Sequence, residues 1–100
     1  MREDRQRLDK WLWFARFAKS RTLAAKLVTS GFVRVNGQRA DSAAKAVAVG
    51  DVVTLALSRT TAVVRIESLG TRRGPVPEAQ ALYTDLSGGH GALVSGGGTG

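Results

Sequence analysis

Lys19, Ser20 and Arg21 set two cations around a hydroxyl at the start of the segment that runs to Ser30. Ser20 is a good N-cap for a helix there, because its side-chain oxygen can accept one of the N–H groups a helix leaves unpaired at its start. That end of a helix carries partial positive charge, so a cation beside it is unfavourable by a few tenths to about 1 kcal/mol. A carboxylate at position 21 is expected to suit the helix and leave its stability unchanged or slightly higher. Two cations and a hydroxyl beside a helix N-terminus instead compose an anion site, and the anion they fit is phosphate.

The other basic residues crowd into the same part of the chain. Arg5 and Arg7 precede the first helical segment, Lys10 and Arg16 lie on its polar side, and Lys26 lies off the apolar stripe of the second. Arg34 and Arg39 flank Asn36-Gly37, and Lys45 follows in a loop. Residues 1–39 hold ten Lys and Arg against three Asp and Glu, whereas residues 40–100 hold five of each. The whole net charge of +7 therefore sits in the first two-fifths of the chain, and a one-sided basic patch points to a polyanion partner. These eight side chains, with Lys19, Ser20, Arg21 and the amide of Asn36, make up the expected polyanion-binding set: Arg5, Arg7, Lys10, Arg16, Lys19, Ser20, Arg21, Lys26, Arg34, Asn36, Arg39 and Lys45.

Other chemistries drop out. At 100 residues the chain is one domain's worth. It has no Cys, and its one His, His90, lies in a glycine-rich stretch, so neither a metal site nor a cofactor is expected. Asp9, Asp41, Asp51 and Asp85 read as caps, turns or solvated charges, with no pairing suited to acid/base catalysis. No catalytic residue is assigned and no enzyme is expected. No apolar run approaches the roughly 18 residues of a membrane span, and the charged start MREDRQRLDKW lacks a signal peptide's apolar stretch. The expectation is a soluble, monomeric, cytoplasmic protein that does not engage membranes.

The elements that must position the cations follow from periodicity. Leu8, Trp11, Leu12 and Ala15 form one apolar helical stripe, with Asp9 in the first turn and Trp13, Phe14 and Phe17 off it. Ala24, Leu27 and Val28 repeat the pattern after Ser20, and Gly31 can close that helix. About two residues are left to join the helices into a hairpin. Val33 and Val35 alternate as a strand, Asn36-Gly37 is a type I′ hairpin signal, and Gln38–Ala40 return. Residues 41–49 read as a loop, 52–57 and 62–67 as paired strands, and a short helix is expected from Pro77 through Tyr83 toward Leu86. Seven glycines among residues 87–100 predict a disordered tail. The expected architecture is α+β: a two-helix hairpin on a small mainly antiparallel sheet with a short C-terminal helix, all within residues 1–86. Trp11 and Tyr83 read as packing. Trp13 and Phe17 either pack or stack on a base. Arg16 either lies over Trp13 as a cation–π pair or reaches a phosphate, and Asn36 is a turn former that could also contact RNA.

At this point a resemblance becomes specific. Arg7-Leu8-Asp9-Lys10 with Leu12, then Ser20-Arg21, Ala24, Leu27-Val28, Gly31, Val33, Val35-Asn36-Gly37 and Gly50-Asp51 resemble the S-four (S4) RNA-binding domain, or alpha-L motif. Trp11-Leu12-Trp13 with Ala15-Arg16-Phe17, and Arg72-Arg73 followed by Pro77, Glu78-Ala79 and Leu82-Tyr83, are similar to the bacterial heat-shock protein fifteen family. The resemblance implies binding to structured ribosomal RNA and association with the large ribosomal subunit. It further implies a stress-response role in translation quality control, on subunits whose nascent chain is still attached to transfer RNA. Two departures stand out: the family often continues into a charged C-terminal helix where this chain turns glycine-rich, and Phe32 sits where a polar or basic residue would be unsurprising. The alternatives are the RNA-binding module of an RNA-modifying enzyme, or a ribosome-assembly factor. A protein-binding adaptor is disfavoured by the concentrated charge.

Overall fold

The computed structural model describes residues 4–57 and 60–87. In chain order its elements are β1 (Gln6–Arg7), α1 (Leu8–Phe14), α2 (Arg21–Thr29), β2 (Val33–Val35), β3 (Gln38–Arg39), β4 (Ala46–Val47), β5 (Val52–Ala56), β6 (Thr61–Ile66), α3 (Val76–Gln80) and β7 (Tyr83–Asp85). Five strands form an antiparallel sheet in the order β3-β2-β5-β6-β7. The alternation of Val33, Val35, Val53, Leu55, Ala62, Val64 and Ile66 buries one face of it. Leu8, Trp11, Leu12, Ala24 and Val28 of the two helices join these residues in a single core, as the i, i+3, i+4 spacing requires. The fold is α+β, as expected.

Both helices end in the same way. Gly31 has φ +87; its N–H donates to Val28 O and that of Phe32 to Leu27 O, the two bonds of a Schellman cap. In α1 the corresponding bonds run from Arg16 N–H to Trp13 O and from Phe17 N–H to Leu12 O. Arg16 takes the left-handed position with φ +67, at a cost of about 1–2 kcal/mol for a residue with a side chain. The helix therefore stops at Phe14, and residues 15–20, rather than about two residues, join it to α2. Asn36 (φ +53) and Gly37 (φ +84) carry positive φ at both central positions of the β2–β3 turn, as a type I′ hairpin requires.

Four further expectations need correction. The segment 41–49 is not all loop: β4 pairs with β1, Gln6 opposite Val47 and Arg7 opposite Ala46. The C-terminal helix is only Val76–Gln80, and Tyr83–Asp85 is a strand on β6. The helix-forming run is overridden there because Leu82 O accepts from Glu67 N–H and Ser68 N–H and draws the chain onto the sheet edge. Phe14, off the expected stripe, is buried; its ring lies where a Cβ on Gly70 would stand, 2.5 Å away. Ser87, expected to open the tail, is still bonded to β6, its Oγ accepting from Val63 N–H at 2.7 Å. The rest of the expected disordered tail, residues 88–100, lies outside the described residues.

The stretch after β6 is laced across α1. The Trp11 indole N–H donates to Ser68 O at 3.0 Å. The Gln6 amide both donates to Gly70 O and accepts from Gly70 N–H, and Arg16 Nε donates to Gly74 O at 2.8 Å. Phe17 packs on Tyr83 with centroids 4.9 Å apart and on Trp11 at 6.1 Å, so its ring serves the core, as does that of Tyr83.

Candidate nucleic-acid interface

The N-terminus of α2 is built as the sequence suggests. Ser20 Oγ accepts from Leu23 N–H at 3.1 Å, which leaves the hydroxyl hydrogen as a donor toward solvent. Beside it, Arg21 is tied to Asp9, which is neither a cap nor a solvated charge. Asp9 is only 3% exposed. Arg7 binds it with both Nε (to Oδ1) and Nη2 (to Oδ2) at 3.1 Å, and Arg21 Nε lies 3.7 Å from Oδ2. Burial pushes the Asp9 carboxyl up, but the hydrogen bond from Arg7, the charges of Arg7 and Arg21 and the Lys10 backbone N–H together hold it below the usual carboxylate range. Both arginine side chains are about half exposed. A buried anion thus gathers two half-exposed arginines at one place; the Nε–Nη2 edge of Arg7 is taken by Asp9, and the remaining N–H groups of both guanidinium groups can donate to phosphate oxygens.

The α1 N-terminus, in contrast, is closed to an anion. Leu8 N–H donates to Lys45 O at 2.9 Å and Asp9 N–H to Ala43 O at 3.1 Å. The same strand pairing brings Lys45 beside Arg7, whose partner is Ala46. Arg5 is exposed immediately before β1. Arg7 and Arg21 thus meet at Asp9, with Lys45 across the β1–β4 pairing; along the chain Lys19 and Ser20 directly precede Arg21, and Arg5 precedes β1.

The other expected residues lie elsewhere. Lys10 sits over the Phe14 ring, 5.7 Å from its centroid, and this, not Arg16 on Trp13, is the cation–π pair on α1. The Trp13 ring stacks on Phe14 at 5.4 Å. Arg16 lies past the helix end, anchored on Gly74 next to Arg73. Lys26 is exposed on α2. Arg34 points to the sheet face opposite Val33 and Val35, with Arg39 as its cross-strand neighbour. The Arg39 guanidinium reaches to Gly31 at the far end of α2, 2.9 Å from where a Cβ would be. Asn36 is occupied by the fold: its Oδ1 accepts from Val52 N–H at 2.9 Å and its Nδ2 donates to Asp51 at 3.2 Å. Asp9 is the organising residue that sequence reasoning missed; the signal was an acid at i+2 from Arg7 on the border of the buried stripe. Among the described residues no group of three or more His, Asp or Glu could hold a metal ion, and no helix is long and apolar enough to cross a membrane.

Residues 6–53 match the S4 domain family. The heat shock protein 15 homolog of Haemophilus influenzae is 42% identical over 85% of this chain, and heat shock protein 15 of Escherichia coli is 39% identical over 81%. A solved structure of Vibrio cholerae heat shock protein 15, described as trimeric, superposes with a TM-score of 0.78 at 43% identity and covers 83% of each chain. The chain belongs to the heat shock protein 15 family. It spans 64% and 60% of the length of the Haemophilus and Escherichia relatives. Within the heat shock protein 15 family match, the S4 portion contains the whole Arg7–Asp9–Arg21 arrangement, while the strands and laces after β5 belong to the longer similarity.

Proposed function

We propose that this protein binds structured RNA without catalysis, through the region centred on Arg7, Lys19, Ser20 and Arg21, and that its target is ribosomal RNA of the large subunit. The observation that carries the reading is the buried Asp9 carboxylate holding Arg7 and Arg21 beside a helix N-terminus. Guanidinium groups fixed before the ligand arrives lose little freedom on binding. Arg5 and Lys45 extend the same region, and Lys10, Arg16, Lys26, Arg34 and Arg39 supply peripheral phosphate contacts. Such a surface reads backbone and shape, so sequence preference is weak and a folded junction is the target.

The binding unit is a single chain, since both arginines and the carboxylate come from one copy. It works in the cytoplasm, on large subunits left with a nascent chain still attached to transfer RNA, as part of a stress response. Crosslinking in cells followed by sequencing of the attached RNA tests this: large-subunit ribosomal RNA should dominate. Recovery of messenger RNA without ribosomal RNA would overturn it.

A further inference from the structure

We infer that the groove beside the α2 N-terminus takes an unpaired nucleobase of the RNA whose phosphates the Arg21 region holds; this rests on the RNA-binding reading above. The groove has a volume of about 540 Å³ and its walls are Phe17, Leu23, Leu27 and Phe32, with Lys19 and Lys26 at its rim. That is within the roughly 300–1,000 Å³ of sites that take small molecules. Phe32 and Leu23 are 49% and 46% exposed, an unusual position for large apolar groups so close to the greatest concentration of charge.

The backbone that carries the two aromatic walls is fixed in place. Phe17 and Phe32 occupy equivalent positions, each donating the closing backbone bond of a Schellman cap, to Leu12 and Leu27 respectively. The Phe32 carbonyl also accepts from Ala56 N–H at 2.8 Å. Its side chain stands between the groove and a second hollow lined with Leu27, Ala56 and Leu57. An exposed ring carried on a bonded backbone can stack on a base at the cost of ordering only its own side-chain torsions.

Charge selects the occupant. The lining carries two ammonium groups and no carboxylate, and Lys19 belongs both to this rim and to the phosphate region at Ser20 and Arg21. A nucleotide can therefore leave its phosphate at the helix start and turn its base into the groove, with Lys26 placed for a neighbouring phosphate. A second copy docked face to face about a two-fold axis would set Lys19 and Lys26 against themselves. A base must leave its stack to enter the groove, so an unpaired base is favoured over a paired one; among the described residues Ser30 is the only uncharged polar side chain of the lining, so the groove discriminates poorly among the four bases.

The test uses the full chain and two RNA hairpins of equal length, one fully paired and one with a single bulged 2-aminopurine. The bulged RNA should bind about tenfold more tightly, with its fluorescence quenched on binding. Phe32→Ala should remove most of that preference and the quench while leaving affinity for the paired hairpin unchanged. Phe32→Leu, which keeps the contact with Leu27 and the fold, should lose the quench equally. Equal affinity of the unaltered protein for both RNAs, with Arg21→Gln weakening both, would overturn the groove inference and leave RNA binding standing. Binding of neither RNA would overturn both. Unchanged bulge binding in Phe32→Ala, or a fall in oligomeric mass with that variant, would assign the groove to something other than a base.

Discussion

Arg21 Nε lies 3.7 Å from Oδ2 of Asp9, so the first residue of α2 is paired with the buried carboxylate of the second residue of α1. This reverses the expectation that a carboxylate at position 21 suits the helix. The favourable dipole contribution of a few tenths of a kcal/mol is outweighed by repulsion from an acid that is already desolvated. Arg21→Glu should destabilise the protein by about 1–3 kcal/mol, read as a lower melting temperature. Arg21→Gln should melt close to the unaltered protein. It should nonetheless bind RNA several-fold more weakly, with the log–log salt slope reduced in magnitude by about one from an initial value of roughly −3 to −5.

Asp9 predicts an acid limb in the stability curve. Its native pKa is lowered, so the stabilisation is fully present above the ordinary carboxylate value near 3.9. It is lost as pH falls through the lower native value. Glu67, held down by hydrogen bonds from Thr84 and Arg65, and Glu78, held down by the hydrogen bond from Arg72, add slopes of the same sign. Asp9→Asn should therefore flatten the loss of stability below about pH 4 without abolishing it. Urea melts of both proteins between neutral and strongly acid pH check this; identical acid limbs would contradict it.

Arg16 stands at a position that glycine prefers. Arg16→Gly removes the left-handed strain at φ +67 and also the 2.8 Å bond to Gly74 O. The two effects oppose each other, and the net change in stability should stay within about 1 kcal/mol. A thermal melt decides it; a fall of several kcal/mol would mean that the lace to Gly74 dominates the α1 terminus.

At the β2–β3 turn a Cβ on Gly37 would meet nothing within 4 Å, so any penalty there is conformational alone. Gly37→Val should lose about 1–3 kcal/mol, while Gly37→Asn, a residue that tolerates positive φ, should recover most of it. The turn sets Arg34 opposite Arg39, so RNA affinity should fall with the Val variant even under conditions where circular dichroism is native-like. Native affinity in such molecules would remove the hairpin from the interface.

The parts legible in the sequence are those governed by local rules. Ser20 announced the α2 start because capping needs only its own side chain and Leu23 N–H. Asn36-Gly37 announced the turn because positive φ is selected residue by residue, and Trp11 announced the core through period. The rest depends on distant partners. A two-residue strand such as β4 has no period to detect and exists because Gln6 and Arg7 lie opposite it. Tyr83–Asp85 follows a helix-favouring run and becomes a strand because the β6 edge is open to it. Of the candidate site, the cations at Lys19 and Arg21 were visible, but the carboxylate that orients Arg7 and Arg21 was not. Its role arises only when two helix starts converge.

The laces across α1 separate two kinds of boundary. The S4 family match ends at residue 53, inside β5, which pairs with β2 on one side and β6 on the other. The Trp11 indole and the Gln6 amide both find their partners beyond that point, at Ser68 and Gly70. A piece cut to the family limits would thus be severed mid-strand and would expose the side of the core that steadies α1. The stretch that the family shares is thus shorter than the stretch whose contacts complete the core: the recognition module leans, in this molecule, on chain that lies 15 to 17 residues past its own end.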